Sequence, residues 1–358
     1  MEKKDRKNLR VGFSTGTAAT AAAVGAAFFL EKGYSPEEVE VTLPKGQKLT
    51  IAVEGISREG DGIRAVVIKD AGDDPDVTNK ARVGVVLTTT AEPGLSIAGG
   101  PGVGRLTKPG LVLPPGEWAI NPGPRKMLTA NLAPWLKPEG PGLKVEVFIE
   151  KGEILAEKTL NPRLGIVGGL SVLGTTGLVK PFSNSAYIAT IDSAMSIAKA
   201  QGLDEIVLTT GGRSEGFGRA ERPDLPEEAF VQIADFFGGG LKLAAKHGFA
   251  TIGLAVFFGK AVKQAQGAHY THAHKNDMDL NPLAGWFPRL SDEIKKELTT
   301  ANTALAALEI LRATGNLDLV PVVARKVLES ARVFAGPGPA TWVRLFDFDG
   351  TVLAFEKA

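Results

Sequence analysis

The 358-residue sequence contains no cysteine. Disulfide bonds, thiolate metal sites and a cysteine nucleophile are therefore excluded, and nothing indicates an oxidising compartment. An excess of charge of either sign is also missing, since 41 lysines and arginines face 40 aspartates and glutamates. A chain of balanced charge has no general attraction for nucleic acid or for an anionic membrane, so any acidic ligand must be held by local basic groups.

Long uncharged hydrophobic runs are lacking as well. The basic N-terminal segment and the alanine-rich stretch after it resemble a signal peptide, but Gly12, Gly16 and several threonines interrupt the pattern. No other stretch is long enough to span a bilayer. The sequence therefore predicts a cytoplasmic protein with no membrane and no nucleic acid among its partners, and it leaves homo-oligomer formation open.

The chain changes character after residue 162. Before it, strand-like runs such as EVEVTL, GIRAVVIKD and LKVEVFIE surround one alanine-rich helix predicted at residues 18–31. After it, apolar runs, of which LGIVGG is the first, alternate with helical patterns. The helical patterns cover residues 186–201, 226–247, 294–308 and 320–334. We predict an α+β domain at 1–162, with a long Gly/Pro-rich loop, and at 163–358 an α/β domain whose parallel sheet is covered by helices.

Two glycine-rich loops follow predicted strands of the second domain. LGIVGGLSVLGTTG starts at Leu164, and TTGGRSE starts at Thr209. In an open α/β sheet the loops at the carboxyl ends of the strands form the ligand crevice, and glycine lets the backbone approach a ligand closely. Each loop alone is equally compatible with an ordinary turn, and Glu215 with a solvated acid. As a pair they predict a binding site formed by Gly168, Gly169, Gly174, Thr175, Thr176, Thr210, Gly211 and Glu215.

Three of the four histidines, His269, His272 and His274, lie within six residues. Imidazole suits zinc, copper or iron, but no cysteine supports a metal site and the nearby Asp277 and Asp279 could as well be solvated, so we predict no metal here. Lys260 and Lys263 precede them and would share a helix face. They could pair with ligand carboxylates or remain in solvent.

Two further motifs suggest other enzymes. STGTAATAAA, which starts at Ser14, loosely resembles the phosphate-wrapping loop of galactokinase- and homoserine-kinase-type enzymes and supplies the alternative of a small-molecule phosphotransferase. LFDFDGT, which ends at Thr351, resembles the aspartate loop of haloacid-dehalogenase-type phosphatases. That fold needs the loop after its first strand, and here the chain ends seven residues later. We therefore reject this second interpretation.

Several motifs together resemble one family, the cobalt-precorrin-5B C1-methyltransferases (CbiD type) of anaerobic cobalamin biosynthesis. They are LRVGFSTGT, KDAGDDPDVT, GVGRLTKPGL, LGIVGGLSVLGTTG, TGGRSE and FFGKAVKQAQG, and they extend over most of the chain. The resemblance implies that a methyl group is transferred from S-adenosyl-L-methionine to C1 of the cobalt-containing corrin precursor, giving cobalt-precorrin-6A. It also implies an α+β domain followed by a Rossmann-like domain.

The sequence departs from the family pattern at two places. Members often have a cysteine after TGT, where this chain has Ala18, so a thiol role at that position cannot apply. The residues around Thr271 and His272 read AHYTHAH, which differs from the family pattern. This weakens any role assigned by analogy to His269 or His274 but leaves His272 in place.

The resemblance gives the candidate residues their roles. S-adenosylmethionine would lie across the two glycine-rich loops, on the second domain. The corrin precursor carries acetate and propionate side chains, which placed cations can bind at roughly 1.5–3 kcal/mol for each charged hydrogen bond. Candidates for substrate binding are Lys69, Arg105, Lys108, Arg125, Lys260, Lys263 and His272. No covalent nucleophile is needed, because the sulfonium methyl group is already activated.

The acidic motif KDAGDDPDVT supplies the catalytic candidates Asp70, Asp73 and Asp74. Asp70 or Asp73 could act as a general base or stabilise positive charge on the macrocycle. Alternatively, the aspartates could order the turn itself through bonds to backbone N–H groups. A third interpretation is a hard cation held by all three candidates. The sequence leaves these three alternatives open.

Overall fold

The computed structural model describes residues 9–272 and 278–358, in two compact units, Met1–Ser183 and Asn184–Ala358. The division lies later in the chain than the boundary predicted after residue 162. The reason is strand pairing, because three short strands between residues 166 and 179 bind to strands of the first unit. LGIVGG is therefore not the first strand of the second unit's sheet.

The first unit contains one five-stranded sheet and several two-stranded ones. Its strands are β1 (Gly12–Phe13), β2 (Glu38–Thr42), β3 (Lys48–Ala52), β4 (Gly55–Glu59), β5 (Gly62–Ile68), β6 (Arg82–Thr90), β7 (Leu95–Gly99), β8 (Gly102–Val103), β9 (Arg105–Leu106), β10 (Gly142–Ile149), β11 (Ile166–Val167), β12 (Gly169–Leu170) and β13 (Leu178–Val179). Its helices are α1 (Thr15–Lys32), α2 (Pro122–Leu132) and α3 (Gly152–Ala156). The five-stranded sheet has the order β4-β5-β6-β10-β7 and is antiparallel except between β10 and β7.

Helix α1 lies in the core of the first unit, against β5, β6 and α2. Its alanines are buried, and their small side chains allow the close approach of a sheet and a second helix. The predicted helix at residues 18–31 is confirmed, and it begins earlier because the side chain of Ser14 accepts a hydrogen bond from the backbone N–H of Thr17.

The second unit has one five-stranded sheet with the order β15-β14-β16-β17-β18. Its strands are β14 (Glu205–Thr209), β15 (Phe230–Gln232), β16 (Thr251–Phe257), β17 (Ala340–Phe346) and β18 (Val352–Lys357). Its helices are α4 (Asn184–Ala200), α5 (Gly212–Glu221), α6 (Phe237–Lys246), α7 (Phe258–Ala265), α8 (Asn281–Gly285), α9 (Asp292–Thr300), α10 (Ala304–Ala313) and α11 (Val320–Ala335). All neighbouring strands are parallel except β17 and β18.

Both faces of this sheet are covered by helices. Ile206 and Leu208 of β14 pack into the core that contains α4, α6, α7 and α11, whereas Val207 between them packs into a smaller core beside Phe217 of α5. This alternation is the two-residue period of a strand buried on both sides. The structure thus shows a mixed α/β architecture.

Two of the predicted helices are wrong in extent. Residues 226–247 contain a 3-10 turn, strand β15 and only then α6, because β15 pairs with β14. The pattern at 294–308 is split into α9 and α10, since Ala301 is extended and the side chain of Thr303 caps a new helix. The predictions at 186–201 and 320–334 are confirmed as α4 and α11. Within the described residues, no helix has both the length and the apolar character needed to cross a membrane.

Candidate functional site

The second unit contains a cavity of about 590 Å³ at the carboxyl ends of its parallel strands. Its wall includes the last residues of β16 and β17, the first turn of α7 and the first turn of α10. The lining residues are mostly apolar and include four phenylalanines, with a few charged and polar groups among them. Such a mixture, at such a position in a parallel sheet, is typical of small-molecule sites.

An ion pair lies in the wall of this cavity. The Lys260 ammonium is 3.0 Å from Oδ1 of Asp235 and donates a hydrogen bond to the backbone carbonyl of Ala234 at 3.2 Å. The hydroxyl group of Thr271 donates to the same carboxylate oxygen at 3.1 Å. Asp235 follows β15, and Lys260 lies in the first turn after β16, so the carboxyl ends of two strands bring the pair together.

The residue before Asp235 has a strained backbone. Ala234 has φ +46°, in the left-handed region that residues with a Cβ seldom occupy. Strain of this kind persists where the surrounding structure holds it, and it is concentrated at ligand-binding and catalytic sites. The carbonyl of Ala234 is the one that accepts the hydrogen bond from Lys260.

Stacked aromatic rings and the carboxylate of Asp347 line another part of the wall. The rings of Phe257 and Phe348 stack with a centroid separation of 5.4 Å, and the guanidinium of Arg213 lies within 6 Å of both. Arg213 also donates to the backbone carbonyl of Phe348. The carboxylate of Asp347, at the end of β17, is paired with Arg312.

His272 and Lys263 both line the cavity, and the substrate-binding role given to them stays a prediction. The ring of His272 stacks on Tyr270 with a centroid distance of 5.9 Å, and Lys263 is largely buried. His269 does not line it and packs against Phe334 instead. His274 lies outside the described residues.

The loop after β14 is held by its own hydrogen bonds. The backbone N–H of Thr210 donates to the hydroxyl group of Ser214, which in turn donates to the carbonyl of Gly211. Glu215 is buried, and its carboxylate accepts a hydrogen bond from Gln232 at 2.8 Å. The solvated-acid interpretation of Glu215 is therefore wrong, because its carboxylate holds α5 to the end of β15.

The other glycine-rich loop lies in the first unit, which corrects its predicted location on the second domain. A Cβ at Gly169 would lie 2.3 Å from the carbonyl oxygen of Gly102, so this glycine permits the pairing of β12 with β8. A Cβ at Gly174 would lie 2.1 Å from the hydroxyl oxygen of Ser14. Gly168 is exposed, as are Thr175 and Thr176, and the Thr176 hydroxyl group bonds the backbone of Leu178.

The start of α1 is covered by this same loop. Gly16 donates to the carbonyl of Leu173 at 3.0 Å, and the Thr17 hydroxyl group donates to the carbonyl of Gly177 at 2.7 Å. The backbone N–H of Thr17 donates to Ser14. Groups that would have to cradle phosphates are thus already bonded, and the kinase alternative is not supported.

Each aspartate of the acidic motif has a partner within the first unit. Asp70 is paired with Arg10 and accepts from the backbone of Gly72, and the hydrogen bond from Arg10 holds the pKa of Asp70 below its usual value. Asp73 accepts from the backbone N–H of Arg10, and Asp74 from that of Phe182, each at 2.9 Å. These contacts are those expected if the aspartates order the loop.

Lys69 is only 1% exposed, and its ammonium binds Asp76 and the hydroxyl group of Thr78. The substrate-binding role predicted for Lys69 is therefore wrong, because its charged group is buried and already paired. No cluster of three or more acidic or histidine side chains with metal-site geometry occurs among residues 9–272 and 278–358.

Arg105 and Arg125 both contact residues 116–120 of the Gly/Pro-rich loop. The Arg105 guanidinium stacks on Trp118 at 3.8 Å from the ring centroid and donates to the carbonyl of Gly116. Arg125 pairs with Glu117 and donates to the carbonyl of Ile120. Both arginines fix this loop in the first unit, and Arg105 keeps an exposed position.

Sequence reasoning missed two charged groups of the cavity lining, Asp235 and Asp347, and also Arg213, which contacts the lining residues Phe257 and Phe348. Asp235 lay inside a segment predicted as continuous helix, and Asp347 belonged to a motif that was considered only for a different fold. Only Arg213 follows a strand that the sequence predicts, whereas Asp235 and Asp347 follow β15 and β17, which the sequence analysis did not predict.

Comparisons with known proteins agree with the sequence motifs. The CbiD family profile matches residues 2–181, and the profile of the CbiD C-terminal domain matches residues 270–357. Proteins named cobalt-precorrin-5B C(1)-methyltransferase are 44% identical over 349 residues in Thermus thermophilus (97% of this chain, 93% of that protein) and 41% identical over 352 residues in a Geobacillus species (97% and 96%).

A solved structure of the cobalamin biosynthesis protein cbiD from Archaeoglobus fulgidus is 26% identical, with 86% of this chain and 85% of that one covered at a TM-score of 0.39. Identity above 40% over nearly the full length of the curated relatives, together with the two profile matches, shows the family. The chain belongs to the CbiD family of cobalt-precorrin-5B C(1)-methyltransferases.

Proposed function

We propose that this protein is a cytoplasmic enzyme that methylates C1 of cobalt-precorrin-5B, giving cobalt-precorrin-6A in anaerobic cobalamin biosynthesis, with S-adenosyl-L-methionine as the methyl donor. The observation that carries the proposal is the identity of 41–44% with proteins named for this reaction, over nearly the whole chain. The cobalt ion belongs to the substrate.

We place the methyl donor in the cavity of the second unit. The strand order, in which β15 and β16 lie on opposite sides of β14, has the reversal point that marks the ligand crevice of Rossmann-like sheets. The volume of about 590 Å³ lies in the usual range of small-molecule sites, about 300–1,000 Å³. The lining fits S-adenosylmethionine, because rings, carboxylates and ammonium groups match its adenine, sulfonium and amino-acid parts.

S-adenosylmethionine supplies an activated methyl group. The residues of this chain have to hold donor and acceptor in line, and such alignment lowers barriers by roughly 7–11 kcal/mol. Phe257 and Phe348 offer π faces that attract a cation and exclude water. Arg213 fixes these rings through its bond to the Phe348 carbonyl.

Substrate carboxylates would be bound by those predicted residues that are exposed or that line the cavity. Arg105 is exposed, with its guanidinium oriented by Trp118. Lys263 and His272 face the cavity. We assign Lys263 and His272 to the corrin's acetate and propionate side chains, and we keep Arg105, with Arg125 as its positioning residue, as a separate candidate within the first unit.

We assign the acidic motif a structural role. Asp70 stays ionised because its pKa is lowered by Arg10, and a carboxylate that is already paired in this way is a weak base. Asp73 and Asp74 hold backbone groups of Arg10 and Phe182. The loop that these aspartates order therefore holds in place Arg10, which precedes β1, and Phe182, which follows β13.

The test is incubation of the purified protein with cobalt-precorrin-5B and methyl-labelled S-adenosylmethionine under anaerobic conditions. We expect one labelled methyl group at C1 and an equal amount of S-adenosylhomocysteine. A parallel thermal-shift assay with ATP should show no stabilisation. Absence of transfer while both ligands are shown to bind would contradict the proposal.

A further inference from the structure

The Asp235–Lys260 pair suggests which part of the methyl donor lies at this wall. Two charges of opposite sign stand 3.0 Å apart and both line the cavity, although neither is fully buried. A pair that served stability alone would need no position in a ligand cavity, no strained Ala234 beside it and no supporting bond from Thr271.

Both charged groups keep bonding capacity for a ligand. The contacts from Lys260 and Thr271 are made to Oδ1, and Oδ2 of Asp235 has no partner among the residues that the structure describes. Lys260 directs two of its three N–H groups to Asp235 and to the Ala234 carbonyl. These contacts therefore leave one carboxylate oxygen of Asp235 and one ammonium hydrogen of Lys260 for a ligand.

We propose that Asp235 and Lys260 bind the α-ammonium and α-carboxylate groups of the methyl donor, Asp235 the ammonium and Lys260 the carboxylate. An α-amino acid carries its two charges two bonds apart, which matches adjacent charges of opposite sign. The N-terminus of α7, at the same wall, has no side-chain cap and adds partial positive charge for the carboxylate. This inference rests on the proposed use of S-adenosylmethionine.

The same pair discriminates between the two reactants. A carboxylate of the corrin would approach Lys260 only beside the negative charge of Asp235, which repels it, whereas a zwitterion satisfies both charges. The pair therefore keeps the polyanionic substrate out of the donor's place. Lys263 and His272, which line the same cavity, are our candidates for binding the corrin.

The test compares two ligands that differ only at this end. S-adenosylhomocysteine carries the amino-acid group, and 5′-methylthioadenosine lacks it. Affinities are measured by calorimetry for the wild-type protein, Asp235→Asn and Lys260→Met, each with and without a cobalt corrin. Asp204→Asn is the matched control, since it removes the carboxylate of the Lys199–Asp204 pair at the other end of β14.

We expect the wild type to prefer S-adenosylhomocysteine, and Asp235→Asn to weaken its binding about tenfold to a hundredfold, as for loss of one charged hydrogen bond. Binding of 5′-methylthioadenosine should stay within about twofold, and Asp204→Asn should change neither. Should Asp235→Asn not fold, Lys260→Met gives the same comparison.

Equal loss for both ligands, or no loss for either, would overturn the assignment while leaving the cavity as the donor site. A wild type that binds both ligands equally would do the same. A wild type that binds neither, even with a corrin present, would overturn the donor site in the proposed function as well.

Discussion

The buried ammonium group of Lys69 is held by the carboxylate of Asp76, seven residues further along the chain. Lys69 is at the end of a strand-like run, where sequence patterns place lysines in solvent, yet its side chain is among the largest that are fully buried. The acidic motif thus contains a structural ion pair, and Thr78 bonds both of its members.

Removing one member of this pair should destabilise the first unit. We expect Asp76→Asn to lower the free energy of unfolding by about 3–5 kcal/mol, because it leaves a buried ammonium group without its counter-charge. Urea unfolding followed by circular dichroism measures this change. The control is Glu40→Gln in the exposed Lys48–Glu40 pair, which should change stability by less than about 1 kcal/mol. Equal losses in the free energy of unfolding for the two variants would show that the buried Lys69–Asp76 pair contributes no more to stability than an exposed pair.

The same pair predicts a pH dependence. Burial opposes ionisation of Asp76, but the charge and hydrogen bond of Lys69 outweigh it and lower the pKa of Asp76. A lowered carboxyl pKa gives stability that is present above the ordinary value of about 4 and is lost as the pH falls through the folded-state value. The wild type should therefore lose more stability on acidification than Asp76→Asn. Parallel pH profiles would contradict this expectation.

Gly174 should tolerate no side chain. We expect Gly174→Ala to cost about 1–3 kcal/mol, since its Cβ would overlap the hydroxyl oxygen of Ser14 at the start of α1. Gly168→Ala is a matched control, because it also has a positive φ but no atom within 4 Å of the added carbon. Unfolding midpoints in urea compare the two. A larger loss for Gly168→Ala would mean that backbone strain, not the contact with Ser14, governs this loop.

Filling the cavity should weaken donor binding. Leu305 lines the cavity and is partly exposed, so Leu305→Trp can be accommodated while occupying space. We expect at least a tenfold loss of affinity for S-adenosylhomocysteine in calorimetry, with little change in the melting temperature. Val333→Trp, on an exposed position outside the cavity lining, should bind normally. Unchanged binding by Leu305→Trp would show that the donor does not bind in this cavity.

Asp70→Asn should separate the structural role from the catalytic one. A general base contributes about 10²–10⁴ in rate, whereas a loop-ordering carboxylate affects mainly stability. We expect kcat of the methyl transfer to fall by less than about tenfold, with a lower melting temperature. Arg10→Gln should reproduce this result, since it removes the partner of Asp70. A fall of a thousandfold in Asp70→Asn but not in Arg10→Gln would identify Asp70 as a base.

The sequence by itself determined the local elements and the family. The alanine-rich run predicted α1 at residues 18–31, alternating patterns predicted strands of the first unit, and long motifs such as KDAGDDPDVT carried the resemblance. These features depend on neighbours a few residues apart, which is the range over which caps, turns and periodicity act.

Only the tertiary structure decided where the motifs lie and what they contact. The two-residue strands β11, β12 and β13 have no periodicity of their own, so their partners in the first unit could not be read from LGIVGGLSVLGTTG. The meeting of Asp235, Lys260 and Asp347 depends on the parallel order of β15, β16 and β17, which brings the ends of distant segments to one edge. The burial of Lys69 likewise follows from packing around the loop, because the free energy of a buried charge is set by its surroundings in space.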